Sequence, residues 1–112
     1  MNIFALSSGP GISGIAVIRI SGKDTKDILK KMIKGPFPKS RVATLKKIYD
    51  NTNNNLIDEG IVLWFPGPDS YTGEDMAEIH VHGSRAVIDV LHSTLSNLEN
   101  CRLAEPGEFT KI

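Results

Sequence analysis

The sequence predicts a small α+β domain in which two helices pack on a mixed or antiparallel β-sheet. Three observations indicate this class: segments rich in β-branched residues, two amphipathic stretches with helical spacing, and breaks rich in Gly, Pro or Asn between them. The predicted element order is β-β-α-β-β-β-α-β. Without the first strand and one other, this order is the split βαβ pattern of ferredoxin-like sheets. A chain of 112 residues can bury one core, so residues 1–112 are interpreted as one domain.

Each element follows from its local pattern. Strands are predicted over residues 3–7, 15–21, 41–49, 60–65, 76–82 and 101–104, and helices over 24–34 and 83–98. The sequence Ser21-x-x-Asp24 resembles a capping box and is expected to begin the first helix. The continuous apolar run 60–65 is typical of a strand that is covered on both sides. Residues 66–75 contain too much Pro and Gly for regular structure.

Composition points to an ordinary water-soluble protein. The single cysteine, Cys101, cannot form an internal disulfide and is expected to be buried, which fits a reducing compartment. The N-terminus lacks the features of a secretory signal, and no apolar run approaches the roughly 18 residues that span a bilayer. We therefore expect a cytoplasmic protein with no membrane association.

Charge is segregated along the chain although the net charge is zero. Residues 23–47 contain nine Lys or Arg and two Asp, whereas residues 50–108 contain two Arg and eleven Asp or Glu. A basic segment is a candidate nucleic-acid interface. A solvated helix face followed by a lysine-edged strand explains the same residues and is the favoured interpretation.

A glycine pattern near the N-terminus imitates a nucleotide site. Gly9, Gly11 and Gly14 have the spacing of the dinucleotide fingerprint. That fingerprint requires a helix after it, so that the helix N-terminus meets the pyrophosphate. Because a strand is predicted here instead, we interpret the match as accidental.

One cation lies within an apolar strand. Alternation places Ile15, Val17 and Arg19 on the same face of the strand over 15–21. A guanidinium group cannot lose its charge and needs an anionic or hydrogen-bonding partner. Position alone does not separate a ligand-binding Arg19 from an edge arginine that reaches water or a local carboxylate.

Three polar residues share one face of the strand over 76–82. Glu78, His80 and His82 alternate with the apolar Ala77, Ile79 and Val81. A His-x-His pair with a carboxylate is a possible metal site, but no fourth ligand is signalled, and a merely polar face is favoured. A carboxylate at this place can also bind a ring that presents two adjacent N–H groups.

Three stretches together resemble one family. Residues 14–22 (GIAVIRISG), residues 65–75 (FPGPDSYTGED) leading to Glu78 and His82, and residues 104–110 (AEPGEFT) match in order and spacing. They are similar to the N-terminal domain of the MnmE (TrmE) family of tRNA modification GTPases, over essentially the whole chain. The resemblance implies a fold similar to tetrahydrofolate-binding domains and a homodimer formed by this domain.

The resemblance also implies a function and two site residues. The family acts with the flavin-dependent partner MnmG (GidA) to install a carboxymethylaminomethyl-type group on the wobble uridine of certain tRNAs. A reduced folate, 5-formyl- or 5,10-methylene-tetrahydrofolate, supplies the one-carbon unit. By motif, the folate-binding residues are Arg19 and Glu78. Tyr71 in the glycine-rich loop is a further candidate for packing on the ligand.

Some family features are expected to be missing. The family's third folate contact is a lysine beyond residue 112, and Ile112 stands where the pattern has Arg. The helical domain, the C-terminal Cys motif and the GTPase domain, with its potassium and magnesium, are absent from these residues. We therefore expect this polypeptide neither to hydrolyse GTP nor to modify tRNA alone, with tRNA bound mainly by the absent regions. The alternative is an assembly module that retains no ligand site.

Overall fold

The structure is a computed structural model that describes residues 1–6 and 14–110. Its strands and helices, in chain order, are β1 (Asn2–Leu6), β2 (Ile15–Ser21), α1 (Thr25–Met32), β3 (Thr44–Tyr49), β4 (Leu56–Phe65), β5 (Met76–His82), α2 (Arg85–Ser96) and β6 (Cys101–Leu103). A single 3₁₀ turn follows at Glu108–Thr110. The predicted element order and the α+β class are thereby confirmed. Residue 7 of the first predicted strand and residues 9–13 of the glycine pattern lie outside the described residues.

The six strands form one sheet in the spatial order β3-β4-β5-β2-β1-β6. Neighbouring strands are antiparallel except β1 and β6, which are parallel. Without β1 and β3, the remaining order is β2-α1-β4-β5-α2-β6, and β5 lies between β2 and β4, which run parallel to each other. This is the predicted split βαβ arrangement of a ferredoxin-like sheet.

Both helices contribute to one core on one face of the sheet. Ile28, Leu29 and Met32 of α1 and Leu91 and Leu95 of α2 belong to a single buried cluster. They pack with strand residues that alternate with solvent-facing ones, as expected for a sheet covered on one side. The strand members of this cluster are Phe4, Ala16, Ile18, Ile20, Ile48, Val62, Trp64, Ala77, Ile79, Val81 and Cys101.

The opposite side, called the open face below, carries the alternate residues of the same strands. Cross-strand pairing sets its rows, because directly paired residues point to the same side of a sheet. Its central members are Ile15, Val17, Arg19 and Ser21 of β2, Met76, Glu78, His80 and His82 of β5, Ile61, Leu63 and Phe65 of β4, and Leu45 of β3.

Two local predictions are wrong for identifiable reasons. Ser21 does not cap α1, because its pairing with Met76 holds it in β2 and its hydroxyl lies 2.7 Å from that of Thr72. Asp24 is the N-cap residue, without a side-chain cap bond. The strand predicted from residue 60 begins at Leu56, because the polar residues before Gly60 pair with β3 in an edge hairpin.

The expectation that residues 60–65 are covered on both sides is met on one side only. Val62 and Trp64 are buried under the helices, whereas Ile61, Leu63 and Phe65 are half-buried on the open face. Trp64 packs edge-on against Phe37 at 5.4 Å between ring centroids, which makes it a core residue. The described residues therefore leave part of the apolar surface of β4 accessible to solvent on the open face.

Close approach of two strands requires a glycine beside the polar row of β5. A Cβ atom at Gly60 would lie 2.0 Å from the carbonyl oxygen of His80, well inside van der Waals contact. The obstructing atom belongs to the backbone and cannot move without shifting β5. Gly60 thus lets β4 and β5 meet at the level of His80.

Replacing Gly60 by alanine is expected to lower the free energy of unfolding by about 1–3 kcal/mol, the usual cost of forcing extra volume into a packed strand pair. Urea denaturation followed by circular dichroism measures it. The matched control is Gly14→Ala, where no atom of residues 1–6 or 14–110 lies within 4 Å of the added methyl group. Equal stability of the two variants would contradict the close contact.

Candidate functional site

Arg19 and Glu78 form an ion pair at the centre of the open face. The two residues are directly opposed in the antiparallel pairing of β2 and β5. Arg19 Nε donates to Glu78 Oε2 at 2.9 Å, with side chains 34% and 13% exposed. The structure therefore brings together the two residues that the sequence singled out, although they are separated by 59 positions in the chain.

The second oxygen of Glu78 is bound by His80. His80 Nε2 lies 2.9 Å from Glu78 Oε1, and the two residues have the same-face spacing of a strand. A carboxylate only accepts hydrogen bonds, so Nε2 of His80 carries a proton in this contact. Each oxygen of Glu78 thus has one donor, and a carboxylate offers about four acceptor positions.

The glycine- and proline-rich loop over residues 66–75 closes one end of this cluster. The ring of Tyr71 lies under the Arg19 guanidinium at 5.5 Å and is itself exposed. The loop is fixed by the buried hydroxyl contact between Thr72 and Ser21 and by the Gly67 backbone N–H, which donates to Asp75. Tyr71 is thereby placed beside the ion pair, next to open solvent.

A cavity of about 520 Å³ adjoins Arg19 on the side of β1 and β6. Arg19 lines this cavity but Glu78 does not. Glu78 pairs with Arg19 from the neighbouring strand β5, so the ion pair lies beside the cavity. Its volume is within the range typical of small-molecule sites. The lining residues are Ala5, Leu6, Arg19, Leu103, Ala104, Glu105, Pro106, Gly107, Glu108 and Phe109.

The outer wall of this cavity is braced by Glu108. Its carboxylate pairs with the Arg102 guanidinium through both terminal nitrogens and accepts the Glu105 backbone N–H. These bonds hold residues 105–108 as a closed turn ahead of Phe109. The AEPGEFT segment is therefore a rim that shapes the cavity.

His82 belongs to a separate pair. Its Nδ1 lies 2.9 Å from Asp58 Oδ2, and its backbone N–H donates to the same oxygen. Burial alone would raise the pKa of Asp58, but these bonds to His82 and one from the Glu59 backbone outweigh burial and lower the pKa. His82 is thus turned to Asp58 while His80 is turned to Glu78. Within residues 1–6 and 14–110, no group of three or more His, Cys, Asp or Glu is arranged to hold a metal ion.

The lysines of residues 23–47 are partly engaged within the domain. Lys26 lies over the ring of Phe37 and Lys34 over that of Tyr49, at 5.2 and 4.2 Å. Lys46 donates to the carbonyl oxygens of Lys34 and Pro36. These contacts support a solvated face, and RNA binding by this segment stays an alternative prediction.

Cys101 is not arranged as a nucleophile. It is 6% exposed, and burial raises the pKa of its thiol to about 11. At neutral pH it is therefore the unreactive thiol. Its predicted burial is confirmed.

Sequence reasoning did not anticipate the roles of Asp58 and Glu108. Asp58 lies 24 positions before its partner His82, and the hairpin that joins them begins earlier than predicted. The contact between His80 and Glu78 could have been predicted in part, because strand alternation placed both residues on one face. What alternation cannot supply is the direction in which each imidazole turns.

The fold and the cluster define an α+β domain of ferredoxin-like order with a charged, solvent-accessible side-chain cluster on one sheet face. The chain matches the family described as "GTP-binding protein TrmE N-terminus" over residues 2–112. It therefore belongs to this family of TrmE N-terminal domains. Among the described residues neither helix has the length and apolar character needed to cross a membrane.

Named relatives agree with this membership. The chain is 64% identical over its whole length to the tRNA modification GTPase MnmE of Pelagibacter ubique and 49% identical over 109 residues to that of Brucella anthropi. It is 44% identical over 115 residues to the mitochondrial tRNA modification GTPase gtpbp3 of Dictyostelium discoideum. The last two matches cover 97% of the chain. The chain spans about a quarter of the length of these relatives: 25%, 24% and 22%.

Proposed function

We propose that this chain is a reduced-folate-binding and dimerisation domain of a tRNA modification GTPase. In this proposal it holds 5-formyl- or 5,10-methylene-tetrahydrofolate in the cytoplasm as the one-carbon source for carboxymethylaminomethyl modification of the wobble uridine of tRNA. MnmG (GidA), GTP and most of the tRNA contacts belong to regions outside this chain. The observation that carries the proposal is the Arg19–Glu78 pair on a solvent-accessible sheet face beside a cavity.

The chemistry of the two side chains fits a pterin. A pterin ring presents a ring N–H next to an exocyclic amine, and a carboxylate accepts such a pair of donors side by side. Among the described residues, Arg19 donates to one oxygen of Glu78 and His80 to the other, and the carboxylate keeps acceptor positions for two more donors. Within residues 1–6 and 14–110, only Nε of the Arg19 guanidinium has a recorded acceptor, which leaves its terminal nitrogens for a ring carbonyl or a folate carboxylate.

The surroundings of the pair suit a flat ligand. Tyr71 offers an exposed aromatic face at one end, and Leu6, Leu103 and Phe109 line the cavity at the other. Concave sites of this kind combine an apolar lining with a few polar groups that fix orientation. The bound folate supplies a one-carbon unit, while Glu78, Arg19 and the apolar lining bind and orient it.

Glu78→Gln is expected to weaken binding of 5-formyltetrahydrofolate about 10- to 100-fold, because a charge-assisted pair of hydrogen bonds is lost while the side-chain shape is kept. Arg19→Gln is also expected to weaken binding of 5-formyltetrahydrofolate. Isothermal titration calorimetry measures both.

Asp58→Asn is the matched control, since it removes a carboxylate that is bonded to His82 and remote from Arg19. It should bind as tightly as the unchanged protein. Binding that is equally tight in all four proteins would remove the site assignment. Thermal melts establish that each variant is folded.

We also propose that the open face mediates homodimerisation. Its strands carry more apolar surface than the described residues cover, as Ile15 and Leu45 are 57% and 62% exposed and Ile61 and Leu63 are half-buried beside them. Adjacent apolar residues of this kind are typical of interaction surfaces. An assembly module without a ligand site is supported by the same observation, and the folate titration separates the two.

Leu45→Glu is expected to raise the dimer dissociation constant at least about tenfold, because a charge would have to be buried in an apolar contact. Sedimentation equilibrium with and without folate measures this. Val90→Glu is the control. Val90 is also an exposed apolar residue, but it lies on α2, which covers the other face of the sheet. A chain that stays monomeric at high concentration, or a Leu45→Glu variant that dimerises normally, would contradict the proposal.

A further inference from the structure

The geometry points to His80 as a positioning residue that makes ligand binding at Glu78 dependent on pH. This inference rests on the proposed function and concerns the regulation of the same site. It starts from one contact, the 2.9 Å bond between His80 Nε2 and Glu78 Oε1. His80 does not itself have to touch the ligand.

Glu78 is held from two sides. Arg19 binds one carboxylate oxygen and His80 the other, and Glu78 is only 13% exposed. Two donors on different oxygens fix the plane of the carboxylate, so its remaining acceptor positions point in set directions. A ligand that presents two adjacent N–H groups depends on that orientation.

The charge of the cluster depends on the second nitrogen of His80. Nε2 carries a proton in this contact whatever the state of Nδ1. With Nδ1 unprotonated, Arg19 and Glu78 balance each other; with Nδ1 protonated, the cluster carries one net positive charge. Histidine is the side chain whose ordinary charge change falls between pH 5 and 8.

A positive cluster is a poorer acceptor of hydrogen bonds from a neutral pterin. The protonated imidazolium attracts the Glu78 carboxylate more strongly than the neutral ring does, and so competes with the ligand's N–H groups for it. Affinity is therefore expected to fall as the pH falls. The negatively charged tail of a folate would be attracted to the same positive charge, an opposing effect that is removed when the ligand is a reduced pterin without the tail.

Few other charged groups face His80. The charged residues around it are Glu78 and His82 on β5, Arg19 on β2, and Glu59 and Asp58 on β4. The His82 side chain is bound to Asp58, whereas it is the His80 side chain that contacts Glu78. Residues 7–13 contain no charged side chain. Among the described residues, His80 is thus the histidine that touches Glu78, and His82, which is bound to Asp58, is its natural control.

The test is calorimetric titration with 5-formyltetrahydrofolate, and with a reduced 5-formylpterin that lacks the glutamate tail, from pH 5.5 to 8 at 150 mM salt. The unchanged protein and His82→Gln are expected to bind about three- to tenfold more weakly at pH 5.5 than at pH 8. His80→Gln, which offers an amide donor near Nε2 but cannot become charged, should change less than about twofold over this range.

At pH 8 the variants separate a positioning role from a merely structural one. His80→Gln is expected to bind within about twofold of the unchanged protein, whereas His80→Ala should bind at least about threefold more weakly. An identical pH profile in the unchanged protein and His80→Gln, or unaltered affinity in His80→Ala, would overturn the inference and leave the proposed function intact. Absence of binding at every pH would remove both.

Discussion

An ion pair between two central strands is the constraint on which the site depends. Arg19 lies in the middle of an apolar strand and keeps its charge, so it needs an anionic or hydrogen-bonding partner. The antiparallel register of β2 and β5 supplies Glu78 directly opposite. Removing either partner would leave the other charge partly buried and without its main counter-charge, which is unfavourable. The other polar contacts of the open face are arranged around this pair.

The one-sided layering of the domain explains why a charged site can exist at the centre of the sheet. Both helices pack against the same face, and their core consists of the residues that alternate with Arg19 and Glu78. The open face is then free to carry polar groups, with the 66–75 loop at one end and the 104–110 rim at one edge. The buried core lies on one side of the sheet, and the charged cluster lies on the other.

Much of this could be predicted from local pattern. The bounds of β2 and β5 follow from β-branched residues and strict alternation, and alternation also places Arg19 on one side of its strand and Glu78 with His80 on one side of theirs. That the two sides coincide could not be predicted, because it depends on a register between segments 59 positions apart. The family resemblance implied that both residues bind one ligand, and neither it nor periodicity predicted their ion pair.

The failures have a common physical cause, since tertiary pairing overrode local signals. Ser21 has the sequence of a helix cap but is held in β2 by Met76 and Thr72. The polar start of β4 has little strand propensity and is recruited by its hairpin with β3. This extension of β4 places Asp58 beside His82 at the end of β5, and no local sequence motif predicts their contact.

We propose that a reduced folate binds at the Arg19–Glu78 pair. The most direct measurement is an NMR titration of the isotope-labelled protein with 5-formyltetrahydrofolate, with the Arg19 side-chain Nε–H signal as the probe. Saturable shifts of that signal, and of the backbone signals of Glu78 and Tyr71, are predicted. An unmoved Arg19 signal, with shifts instead in the groove between α2 and the turn that leads into Leu56, would contradict the account.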